Sequence, residues 1–203
     1  MTTATAASPP RIAEVRGRAL GVTLLAFFAL AWVGWGTGGH LPTIPQVIVV
    51  VLSALLSIAL TMYAWRLPRR MQSDPELADS TPDGGGSPNR SFGLIVAAEW
   101  IGLFVIAGIL GATGHAVVIP AVVCAGVGIH FVPLARLFHV PAYYATAGAL
   151  CSIAIATFAI ALSTSTPALW TLLPGIGAAL VLYATCGVLL RQSAQFVALD
   201  ETS

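Results

Sequence analysis

Glu99 and His130 are the two residues of this chain whose chemistry is out of keeping with their surroundings. Glu99 is the acidic residue inside the apolar run Phe92–Ala112, and His130 lies inside the apolar run Ala116–Ala135. A carboxylate in hydrocarbon costs several kcal/mol unless it is paired, hydrogen-bonded or neutral. An imidazole is the natural partner, because it can share or return a proton near neutral pH. Two readings follow. In the first, Glu99 binds a proton or cation and His130 tunes it. In the second, the two form a structural clasp between helices, with Tyr144 as an alternative partner for the carboxylate. Trp100 flanks the acid. Pro133 lies one turn after His130 and removes the backbone hydrogen bond to the Ile129 carbonyl. Arg136 closes the run and is expected to anchor at the headgroups by snorkelling.

Catalytic patterns are missing from the sequence. It holds no Gly-x-Ser-x-Gly, no His-Glu-x-x-His and no phosphate loop, since Gly84-Gly85-Gly86 lacks the Gly-Lys-Ser/Thr ending. His40, His115 and His139 are scattered over expected loops and make no metal set. Cys124, Cys151 and Cys186 fall in apolar runs without Cys-x-x-Cys spacing and read as small buried residues. No cofactor, metal or nucleic acid is implied, and an enzyme is the least supported class.

These residues must be positioned by membrane helices. Of 203 residues, 57% are hydrophobic and 8% charged, against about 25% charged in a soluble domain. Long apolar runs account for the deficit. They cover Ala19–Trp35, Ile44–Trp65, Phe92–Ala112, Ala116–Ala135, Ala142–Leu162 and Ala168–Leu190. Each is close to the ~20 residues that cross ~30 Å of hydrocarbon. The expected fold is therefore all-α, a polytopic membrane bundle of six transmembrane helices. Residues 1–17 form an N-terminal tail, 18–66 carry helices one and two, 67–91 form a disordered linker, 92–190 carry helices three to six, and 191–203 form a C-terminal tail. The first run is read as a retained helix, because it is long for a signal core and lacks a small-x-small cleavage site.

All nine basic residues are arginine. With six spans, Arg11, Arg16, Arg18, Arg66, Arg69, Arg70, Arg90, Arg136 and Arg191 all fall on one side. The positive-inside rule then puts both termini and the linker in the cytoplasm of a cell (inner) membrane. Trp32, Trp35 and Trp170 are expected at the outer belt, and Tyr63, Trp65, Tyr143 and Tyr144 at the inner belt. Ser53, Ser57 and Thr61 share one face of helix two, turned toward other helices. Ala98/Gly102 and Ala107/Gly111 offer close approach on helix three, and Pro174-Gly175 marks a kink in helix six.

The run Ala98-Glu99-Trp100-Ile101-Gly102, then Gly128-Ile129-His130-Phe131-Val132-Pro133-Leu134-Ala135-Arg136-Leu137-Phe138 and Tyr143-Tyr144-Ala145-Thr146, resembles a family of small bacterial membrane proteins of unknown function. That family has a Glu-Trp pair and a His-Phe-x-Pro-Leu-Ala block. The resemblance covers about a third of the chain and implies that Glu99, His130, Pro133, Arg136 and Tyr144 matter; it implies no activity. Depth along the helices sharpens the question. Glu99 lies nine residues past Arg90, roughly 13 Å in, and His130 six residues before Arg136, roughly 9 Å in. The expected function is an integral membrane protein, a small proton- or cation-linked transporter or channel using the Glu–His pair. The alternative is a non-catalytic module, an assembly partner or accessory subunit. Its expected partners are the bilayer and a second copy or another membrane protein.

Overall fold

The computed structural model describes residues 10–71, 90–164 and 166–200; within these, the side chains of 10–14, 70–71, 90–96, 98–99 and 196–200 are not described. The chain is all-helical over this extent: α1 Pro10–Thr37, α2 Thr43–Met71, α3 Arg90–Ala112, α4 Ile119–Phe138, α5 Ala142–Thr164 and α6 Leu169–Asp200, with a 3-10 turn at Ala116–Val118 before α4. Five of these helices are long and apolar enough to cross a membrane, over Val15–Thr37, Thr43–Arg69, Ala116–Phe138, Ala142–Thr164 and Leu169–Gln195; on α3 the described apolar part is Trp100–Ala112. The protein is a multi-pass helical membrane bundle. The linker expected at 67–91 lies outside the described residues from 72 to 89.

The connections stop the helices by chemistry visible in the sequence. After α3, Gly114 takes φ 80, and His115 N–H reaches back to Leu110 O at 2.8 Å, a left-handed helix stop that glycine adopts without strain. After α4, His139 takes the same left-handed turn with φ 53, Val140 N–H donates to Ala135 O, and Pro141 follows. Nothing comparable follows Leu190. The segment Arg191–Asp200 contains neither glycine nor proline, and α6 continues through the expected tail to Asp200.

The core is built around α6, which packs against α1, α5, α4 and α2; α4 pairs closely with α5, and α1 with α2. Alanine, glycine and threonine make this possible. Ala26, Ala29, Ala178 and Thr37 are fully buried. A Cβ on Gly36 would sit 2.7 Å from the Gly175 Cα, so α1 and α6 touch backbone to backbone there. Pro174 is buried beside that contact. Among the described residues the close approach expected on α3 is not used, because Cβ atoms at Gly102, Gly108 and Gly111 would meet nothing within 4 Å. Instead Leu103 of α3 seats against Gly126 of α4.

Cross-helix contacts fix the order of the ends. Gly21 of α1 lies under the Tyr143 hydroxyl of α5. Trp65 Nε1 of α2 donates to Thr23 Oγ1 at 3.1 Å. Cys186 of α6 donates to Val22 O at 3.6 Å, and Phe131 of α4 meets the Tyr143 ring at 5.4 Å. One end of the bundle therefore gathers Arg16, Arg18, Arg66, Arg69, Arg136 and Arg191. Trp32, Trp35 and Trp170 occupy the other. Trp32 and Trp170 are not lipid-facing belt residues, being 5% and 7% exposed. Trp32 stacks on Trp35 at 5.3 Å and Trp170 meets Phe158 at 5.0 Å, so they plug that end.

Candidate functional site

The α3–α4 seam carries the candidate pair. The two helices are neighbours, joined by the short Thr113–Gly114–His115 turn and thus antiparallel. The contact of Leu103 with Gly126 fixes their register. Four residues from Leu103 toward the arginine end is position 99; four residues from Gly126 in the same direction is position 130. A step of four residues keeps the same helix face. The register therefore puts positions 99 and 130 at a similar level along the two helices. The Glu99 side chain lies outside the described residues. His130 is half-buried, with its ring 6.4 Å from that of Phe131.

The other residues singled out by sequence disperse. Trp100 is 37% exposed and stacks on Phe28 of α1 at 6.2 Å and against Phe104 at 6.0 Å. Among the described residues α1 and α3 have no close backbone approach, so these rings reach across the space between them. Pro133 is half-buried inside α4, and Arg136 is exposed in its last turn, consistent with an interfacial anchor. Tyr144 is 46% exposed whereas Tyr143 is 8% exposed. The residue facing the interior is thus Tyr143, between Gly21 and Phe131. At α5's first turn, periodicity alone could not distinguish two adjacent tyrosines.

Buried hydroxyls form the polar interior. Tyr183 of α6 is a hub: its hydroxyl lies 2.6 Å from Ser53 Oγ and 2.8 Å from Ser57 Oγ, and donates to Ser53 O at 3.0 Å. Ser57 also donates to Ala26 O of α1 at 3.0 Å, so one cluster ties α1, α2 and α6. The serine face of α2 was legible in the sequence; its partner, a tyrosine inside an apolar run, was the unused signal. On the other side of α6, Thr146 and Thr185 meet hydroxyl to hydroxyl at 2.7 Å. Thr37, Thr157 and Ser193 donate back to carbonyls of their own helices. Each buried serine and threonine among the described residues thus has a protein partner, as the low dielectric demands. Among the described residues no group of three or more His, Cys, Asp or Glu could hold a metal.

No family model, no curated protein and no solved structure matches the chain.

Proposed function

We propose that the chain is a non-catalytic integral-membrane module, an accessory or assembly component, in which Glu99 and His130 clasp α3 to α4. The observation that carries this reading is the register: positions 99 and 130 lie at a similar level along the α3–α4 seam. Among the described residues of α3, Leu103 seats at Gly126, Trp100 stacks on Phe28 of α1, and Gly102, Gly108 and Gly111 stay open. A charge-assisted hydrogen bond at that level supplies what packing does not. The engaged interior hydroxyls support the same reading, because they hold helices together. In this reading the arginine end is cytoplasmic, with both termini. Labelling single cysteines from outside, in a cysteine-free background, should modify position 114 and spare position 85; the reverse pattern would invert the orientation.

The clasp is tested by a double-mutant cycle on melting in detergent. Glu99→Ala and His130→Ala should each cost about 1–3 kcal/mol by stranding the other partner. The double variant should cost clearly less than their sum. Additivity within about 0.5 kcal/mol would remove the clasp. A second reading, a proton- or cation-linked transporter using the same pair with Tyr144 nearby, draws on the half-exposure of His130. It separates from the first by transport: a proton site carries protons across the bilayer under a pH gradient, and a clasp does not.

A further inference from the structure

We draw no further inference here: the strongest candidate, the outer face of α3 where Ile101, Phe104, Val105 and Ile109 are exposed beside the open Gly102 and Gly108, is an apolar surface patch, and nothing in the structure shows what covers it.

Discussion

The α1–α6 seam and the α3–α4 seam solve the same problem by opposite means. At α1–α6, small residues let the backbones meet: Gly36 lies on Gly175, and Ala26, Ala29, Ala178 and Cys186 are wholly buried. At α3–α4, Leu103 fills a notch at Gly126, while Ile101, Phe104, Val105, Ile106 and Ile109 remain exposed. In a bilayer, lipid is as apolar as leucine, so burial by itself gives little drive for association. What distinguishes the seams is how closely the backbones can approach and which polar groups cross between them. The first seam holds by approach, reinforced by hydroxyls. In the proposed reading the second is held by a polar link between Glu99 and His130.

That contrast orders the expected effects of substitution. Gly175→Leu should be the most damaging. Its side chain would meet backbone atoms of α1, which cannot move aside as a flexible side chain would, and the cost should reach about 3 kcal/mol or more. Melting in detergent reads it, and a variant that melts with the wild type would show that α1 and α6 do not touch there. Tyr183→Phe comes next. It removes the hub that joins Ser53 and Ser57 and should cost about 1–2 kcal/mol; an unchanged melting temperature would assign those serines to local bonds within α2. Thr146→Val and Thr185→Val should couple by roughly 0.6 kcal/mol, up to about 1.7, the range for hydrogen bonds between membrane helices. Additive losses would mean the two hydroxyls act alone. Phe104→Ala, 70% exposed on α3, should shift stability by no more than about 0.5 kcal/mol. A larger loss would give α3 a protein neighbour that the single chain does not provide.

Much of this architecture is legible in the sequence, because length, apolarity and arginine placement act locally. The apolar runs give the helices, and the serines of α2 at spacing four give a polar face. Failures arise where the answer depends on a partner helix. The small residues of α3 and those of α1 and α6 look alike in sequence, yet among the described residues of these helices it is Gly36 and Gly175 that are brought together. Tyr143 and Tyr144 are equal in sequence and opposite in burial. Arg191 reads as the start of a tail, but without a glycine or proline beyond it α6 keeps its hydrogen-bond ladder to Asp200. For the candidate site, depth counted from the arginines suggested comparable levels for Glu99 and His130. The facing of the two helices could come only from the Leu103–Gly126 contact.

The most direct test of the module reading is proton flux in proteoliposomes under an imposed pH gradient, for the wild type and Glu99→Gln. A fixed bundle with a Glu99–His130 clasp predicts dissipation no faster than in protein-free vesicles, for both proteins. Dissipation by the wild type that Glu99→Gln abolishes, with the variant still folded, would contradict the clasp and make Glu99 a proton-carrying site.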